Sequence, residues 1–379
     1  MKKTVWTVIA VIVIILIAVL AQKPSKEAAT GPVRLGGAFM ITGPAAPVGE
    51  LQQKGASLAV ETINNAGGIN GRPIEIVIED AGYDPKTAVS AYQALKIKGL
   101  KLFIMDGSSV VSATHQLVVD DGNFTIAGGA TAPSYFDNSI QSCRIALTAK
   151  DFAPGMAEIL RKHDYKNVAV FLADNEYGRG LASEFVKAFN GKDESIVVTE
   201  FYSGSAGSSD FRTNILKIKA QQDKIDAIVF SNILTNAEGM LRQMKELGVN
   251  KPIVSDNPTF ENPSIKDFSL LEGTEVVDYE YTRAIQPTDS AKVKGFKEAY
   301  RAKYGIDPQY FGAGTYDSIM LVAEAVGKVG EDPKAVAKYI SSLKNYEGVT
   351  GTYTFDNDCE VDRTLITRGI KNGVKVDIK

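Results

Sequence analysis

Two cysteines, two histidines and one tryptophan in 379 residues leave little room for several kinds of chemistry. Cys143 and Cys359 are too far apart for a Cys-x-x-Cys redox pair, and with His115 and His163 they form no zinc-ligand spacing. No metal and no cofactor are therefore expected. No Gly-x-Ser-x-Gly elbow occurs and neither histidine has an evident partner, which argues against nucleophilic catalysis. An excess of either charge is also lacking: 42 Lys and Arg stand against 45 Asp and Glu, a net of −3, and the basic residues are scattered. Nucleic acid is thus no expected partner. Low-complexity tracts are absent. What remains, 44% hydrophobic and 23% charged residues, is the composition of a globular protein in a chain long enough for two domains.

One long uncharged run does occur, Val5 to Ala21, behind Lys2 and Lys3, and Val19-Leu20-Ala21 suits a signal peptidase cutting before Gln22. The run sits at the low end of the ~17–25 residues that span a bilayer. Two fates therefore fit it, removal as a signal peptide or retention as a membrane anchor, and no cysteine is present there to carry a lipid. Under either fate the protein is expected outside the cytoplasm, in the periplasm or on the outer face of the cytoplasmic membrane. Gln22 to Thr30 then form a polar N-terminus or tether.

From Val33 onward strands and helices alternate. A strand at Val33 to Met40 leads through Gly43-Pro44 to a helix over Gly49 to Asn65, whose apolar side carries Leu51, Ala56, Leu58, Ala59 and Ile63. Gly67-Gly68 stops it, and Asn70-Gly71 turns into the strand Ile74 to Glu79. Asp84-Pro85 opens a helix over Lys86 to Lys98. At the centre of this series, Leu102 to Met105 reads as a buried strand running into Asp106-Gly107-Ser108-Ser109 and a helix over Val110 to Val119. The strand Phe124 to Ala127 then runs into Gly128-Gly129-Ala130-Thr131. Two turns rich in Gly, Ser and Thr should thus emerge at one carboxyl sheet edge, where parallel sheets bind ligands. Their N–H groups, helix N-termini and hydroxyls suit a small carboxylate, although the same residues also serve as ordinary helix caps.

Further along the chain, strands at Val168 to Ala173, Ile196 to Phe201, Ala227 to Phe230 and Ile253 to Ser255 alternate with helices at Tyr177 to Asn190, Phe211 to Gln221 and Ala237 to Leu247. Gly178-x-Gly180-x-x-Ser183 imitates a dinucleotide fingerprint. Three residues separate its first glycine from the strand, however, and Ser183 replaces the third glycine, so an exported oxidoreductase is a weak alternative.

Gly43-Pro44, the run from Gly49-Glu50 through Lys54-Gly55-Ala56 to Ala66-Gly67-Gly68-Ile69-Asn70-Gly71-Arg72, Asp80 and Asp84-Pro85 carry a family resemblance. So do Gly107-Ser108-Ser109, Gly129-Ala130-Thr131, Tyr177-Gly178, Met240-Leu241-Arg242-Gln243 and Tyr316-Asp317. The sequence resembles the leucine/isoleucine/valine-binding-protein family, the solute-binding subunits of ABC importers, over nearly everything after residue 33. The resemblance implies an α/β fold of two Rossmann-like lobes with parallel sheets and a three-segment hinge, the type 1 periplasmic-binding-protein fold. It places residues 33–147 and 281–365 in lobe I and 148–280 and 366–379 in lobe II, with helices at Lys292 to Tyr304 and Tyr316 to Val329. A monomer that is no enzyme, an amino acid or small carboxylate as ligand, and a membrane ABC permease as partner follow. The same module tethered as a ligand sensor is the other reading.

The resemblance further implies that Ser108 or Ser109 and Thr131, with the N–H groups of Gly129, Ala130 and Thr131, hold the ligand's carboxylate. Tyr177 faces them from lobe II. Val48 and Ile233 or Leu234 stand where relatives place aromatic groups, leaving a more apolar pocket. Gly82 and Gly107 replace a cysteine pair of some relatives. Cys143 and Cys359 fall near the crossovers of lobe I, as a disulfide or as two buried thiols. For the ligand's ammonium, the loop Asp256-Asn257-Pro258 offers a counter-charge. Asp256 is the favoured partner, and Asn257, which the ungapped alignment puts on the acid's position, would instead favour a neutral or anionic ligand.

Overall fold

The computed structural model describes residues 31–133, 139–205, 207–281 and 284–378. The expected leader, Val5 to Ala21, and the segment to Thr30 lie outside the described residues. Five buried or half-buried strands, β1 (Val33–Phe39), β2 (Ile74–Asp80), β3 (Leu102–Met105), β4 (Phe124–Ala127) and β5 (Ser142–Arg144), form a parallel sheet in the order β2-β1-β3-β4-β5. In the second sheet β6 (Asn167–Ala173), β7 (Ser195–Tyr202), β8 (Ala227–Ser231), β9 (Ile253–Asp256) and β10 (Glu275–Tyr279) are parallel and repeat that order as β7-β6-β8-β9-β10. β11 (Tyr346–Glu347), β12 (Thr352–Phe355) and β13 (Val361–Asp362) make a small antiparallel sheet. β14 (Leu365–Lys371) then joins the second sheet antiparallel to β10, and β15 (Val374–Asp377) follows antiparallel to β14.

The chain passes between the two large sheets three times: after Arg144, after Tyr279 and before Leu365. Each large sheet has its topological switch point beside its first strand, where neighbouring connections leave in opposite directions and open a crevice at the carboxyl edge. In this molecule the two edges face each other.

Helix Ala46–Asn65 packs directly on helix Tyr310–Val329, with glycine on both where their backbones cross. A Cβ on Gly55 would lie 2.0 Å from the Gly312 carbonyl oxygen, so no side chain fits. Both helices start earlier than the sequence suggests, at Ala46 rather than Gly49 and at Tyr310 rather than Tyr316. Helix Ala149–Lys162 is an addition. Its Thr148 and Asp151 form a reciprocal capping box, while Pro154 inside it obscures the pattern. The terminal β14–β15 hairpin turns at Asn372 and Gly373, both with positive φ.

Cys143 and Cys359 are joined in a disulfide with Cα atoms 4.8 Å apart. The bridge holds the β12–β13 turn on edge strand β5, beside the hydrogen bond from the Arg144 N–H to the Cys359 carbonyl. His115 and His163 do have partners, Ser142 and Glu275. Ser142 is fully buried within β5, so its pairing with His115 is a packing interaction.

Candidate functional site

β3 is apolar and buried throughout and ends at Asp106, after which Gly107 takes φ +90. A side chain there would be strained, and its Cβ would lie 2.8 Å from Met40 Sδ and 3.0 Å from the Tyr83 ring. The chain can thus turn straight into helix Ser108–Asp120, which sets Ser108 at the carboxyl edge. β4 delivers Gly129 and Thr131 alongside it. From the second sheet, β6 leads to Tyr177 in the first turn of helix Glu176–Ala188, β8 leads to Ile233, and β9 leads to Asn257 and Pro258.

These residues meet around one cavity, completed by Met40, Tyr83, Tyr310 and Phe311. It is narrow, leaving about 10 Å³ for the centre of a water molecule, room for about one. A wider depression of about 780 Å³ lies at the chain crossings near Lys297 and Arg368. Lys297 and Arg368 in it already pair with Asp289 and Asp377, and it stands away from the carboxyl edges. The smaller cavity is the candidate site.

Six of the residues singled out in the sequence line it: Ser108, Gly129, Thr131, Tyr177, Ile233 and Asn257. Five do not. Val48 and Ala130 are fully buried, and the Ala130 carbonyl accepts from Arg144. Ser109 is buried beside the Tyr83 hydroxyl. Leu234, the alternative to Ile233, is buried in the core.

Asp256 is the fifth and calls for a correction. Its carboxylate accepts from Tyr177, from Ser231 Oγ at 2.8 Å and from the Thr259 N–H, so it caps the short helix Asn257–Phe260 and stands behind Tyr177. Asn257 is the residue at the cavity wall, with its Nδ2 donating to Asp278. Neighbouring residues at a helix start point to different sides, and the unsatisfied N–H groups of the first turn draw the carboxylate inward.

A second correction concerns the turns. The Gly129 N–H donates to Asp106 Oδ1 at 2.6 Å, and the Thr131 and Ala132 N–H groups donate to Ser108 Oγ at 3.2 and 3.0 Å. Of the three expected N–H donors only that of Ala130 has no partner among the described residues. The Ser108 proton and the Thr131 hydroxyl remain for a ligand.

Sequence reasoning missed Met40, Tyr83, Gly107, Pro258, Tyr310 and Phe311. Tyr83 carried no sequence signal. In the structure it holds φ +57, an uncommon conformation for a bulky residue that marks a position imposed by its surroundings. Tyr310 was hidden because its helix was expected to start later. Its ring stacks on Tyr279 with centroids 4.3 Å apart, and its hydroxyl accepts from Arg363.

Among the described residues no basic side chain lines the cavity. Two buried carboxyls lie just behind it. Burial pushes Asp106 up to about 6 against the N–H groups of Gly107 and Gly129, and burial likewise pushes Asp256 up to about 6 against Tyr177, Ser231 and Thr259. The glycines of the dinucleotide-like run have packing roles. A Cβ on Gly178 would sit 2.0 Å from the Ala173 carbonyl oxygen, and one on Gly180 would sit 2.4 Å from Pro133 Cδ. Among the described residues no cluster suits a metal ion, and no helix is long and apolar enough to cross a membrane.

Two α/β sheets with facing carboxyl edges, three chain crossings and a cavity between the edges define a two-lobed ligand-capture protein of the type 1 periplasmic-binding fold. The chain belongs to the periplasmic binding protein family, an exported solute-binding family, whose profile matches residues 32–372. It is 28% identical over 363 residues to Leu/Ile/Val-binding protein homolog 1 of Brucella abortus, covering 94% of this chain and 92% of that one. It is also 28% identical over 344 residues to the leucine-, isoleucine-, valine-, threonine- and alanine-binding protein of Pseudomonas aeruginosa, covering 89% of each. Among solved structures, the branched-chain amino acid transporter substrate-binding protein LivJ of Streptococcus pneumoniae, in complex with isoleucine, superposes with a TM-score of 0.78 at 26% identity, covering 92% of this chain and 99% of that one.

Proposed function

We propose that this protein is the extracytoplasmic solute-binding subunit of an ABC importer, capturing a small apolar amino acid without transforming it. One observation carries the reading: Ser108 and Thr131 from the first sheet and Tyr177, Ile233 and Asn257 from the second line a single cavity. Relatives and a structural neighbour named for branched-chain amino acids support the ligand class.

In this reading the lobes are 33–147 with 281–365 and 148–280 with 366 onward, and the three crossings act as the hinge. The Ser108 and Thr131 hydroxyls and the Ala130 N–H take the ligand's carboxylate, while Ile233, Pro258, Phe311 and the tyrosine rings enclose its apolar side chain. The free volume in the closed arrangement is far below that of a leucine. Entry therefore requires the lobes to part, and the ligand stabilises a reclosed form that a membrane permease recognises. Titration calorimetry with leucine, isoleucine, valine and alanine tests the reading. Saturable binding of at least one of them is expected, and no binding of any would overturn it.

A further inference from the structure

Arg363 stands in the link between β13 and β14, the third of the three chain crossings. Its guanidinium reaches the other two. Nη1 donates to the carbonyl of Ile145, in the first crossing, at 3.0 Å, and the guanidinium carbon lies 4.5 Å from the centre of the Tyr279 ring, where the second crossing begins. Those two crossings are also joined to each other, because the Leu147 N–H donates to the Tyr279 hydroxyl at 3.0 Å. Nη1 further donates to the Tyr310 hydroxyl at 2.9 Å, Nη2 donates to the Thr350 carbonyl, and the centre of the Tyr353 ring lies 5.1 Å away. Among the described residues no carboxylate pairs with this cation. Carbonyls, a phenol and ring faces hold it instead.

Most of these partners are fixed. Thr350 and Tyr353 both donate their hydroxyls to the buried Asp317, and a Cβ on Gly351, which has φ +137, would lie 3.0 Å from Nη2, so the loop is shaped around the guanidinium. Tyr310 is shared between two tasks. It lines the cavity and stacks on Tyr279 with the ring planes 7° apart, whereas its hydroxyl turns to Arg363. One side chain thus touches the ligand space, the end of β10 and the cation that spans all three crossings.

We propose that Arg363 couples the cavity to the hinge: through Tyr310 it holds the three crossings in the closed arrangement, and a ligand that fixes the Tyr310 ring strengthens that hold. The inference rests on the hinge-closure reading above and names the positioning residue through which occupancy reaches the crossings. Tyr279 belongs to the second sheet, while Tyr310 lies on a helix packed against β3 and β4 of the first, and Thr350 and Tyr353 are tied to Asp317 on that same helix. Parting the sheets moves Tyr279 against the other two rings and breaks the contacts of the guanidinium on one side. Arg363 therefore opposes opening and has little effect on ligand entry.

Fluorophores placed through Ile97→Cys and Val186→Cys, exposed positions on helices of the first and second sheet, report the separation of the sheets by energy transfer, the native cysteines being held in their bridge. The ligand is the tightest binder among leucine, isoleucine, valine and alanine, and stopped-flow mixing gives its rates. Arg363→Lys keeps the charge but loses the planar fork that serves three acceptors. Tyr310→Phe keeps the ring at the cavity and removes only the hydroxyl. Each is expected to speed dissociation roughly tenfold or more with association little changed. Each should also widen the sheet separation in the ligand-free protein, a readout that the loss of a direct ligand contact would not move. The double variant should dissociate no faster than the faster single one. Unchanged dissociation or unchanged ligand-free separation in Arg363→Lys, even with a lower melting temperature, would overturn the proposal and leave the binding reading intact, as would additive effects in the double variant. No binding of any of the four amino acids by the wild type would overturn both. Should Arg363→Lys fail to fold, Tyr310→Phe decides alone, and an unchanged ligand-free separation in it would overturn the proposal.

Discussion

The Thr235 N–H, in the loop after β8, donates to the carbonyl of Pro44, in the loop after β1, at 2.8 Å. This bond ties the carboxyl edge of one sheet to that of the other. A second tie is ionic: Glu261 Oε2 accepts the N–H of Tyr310 at the start of helix Tyr310–Val329, with Lys375 Nζ 3.2 Å from Oε1. Both ties exist only when the edges are together.

Glu261→Gln should therefore shift the protein toward an open form. A carboxylate at a helix N-terminus contributes about 0.3–2 kcal/mol, so apparent ligand affinity should fall roughly two- to thirtyfold, with a larger radius of gyration in solution scattering of the ligand-free protein. An unchanged scattering profile together with unchanged affinity would show that the tie does not bias closure.

Ser108 and Thr131 should separate binding from folding. Thr131→Val removes a hydroxyl with no partner among the described residues, so affinity is expected to drop about tenfold or more at constant melting temperature. Ser108→Ala also strips the acceptor from the Thr131 and Ala132 N–H groups. It should cost about 1–3 kcal/mol of stability as well, visible as a lower urea midpoint.

Stability of the ligand-free protein should decline as pH rises from about 4 to about 6. Asp106 and Asp256 are pushed up to about 6 from 3.8 by burial, so in this window the native state binds more protons than the unfolded chain, and the full penalty applies above about 6. Glu238 acts in the opposite sense. Arg242 and the N–H groups of Lys266 and Asp267 lower it to about 2, so its contribution is present above the unfolded value of 4.5 and lost as pH falls through about 2. Melting temperatures should fall between about pH 4 and about pH 6 and level off above, and Asp106→Asn should flatten the fall. A melting temperature that rises toward pH 7 would contradict the assignment.

Reducing the Cys143–Cys359 bridge releases a loop closed across 216 residues of sequence. Loop-closure entropy puts the loss at up to about 5 kcal/mol. The urea midpoint of Cys143→Ala/Cys359→Ala should drop accordingly.

The alternation of apolar strands with helices, the Asp84 cap and the glycine stops are short-range matters of backbone geometry and periodicity, and most of the first sheet could be read from them. Helix Ala149–Lys162 was missed although Thr148 and Asp151 carry a capping-box spacing, because Pro154 interrupts the pattern. The β14–β15 hairpin was missed despite Asn372-Gly373, a turn signal strong enough to have found it.

In the site, sequence pointed to the two turns after β3 and β4 and to Tyr177, Ile233 and Asn257, because glycine, hydroxyl and aromatic residues at βα turns are local features. It could not say which donors in those turns were already taken. That depends on partners far along the chain: Gly129 is spoken for by Asp106, 23 residues away, and Tyr177 by Asp256, 79 residues away. Nor could it choose between Asp256 and Asn257, since the direction of each side chain follows from a helix start that packing against β10 and Ser231 imposes. Periodicity and caps act over a few residues and so are written in the chain. The electrostatics of the cavity arise from desolvation and long-range hydrogen bonding, which exist only once both sheets have assembled around it.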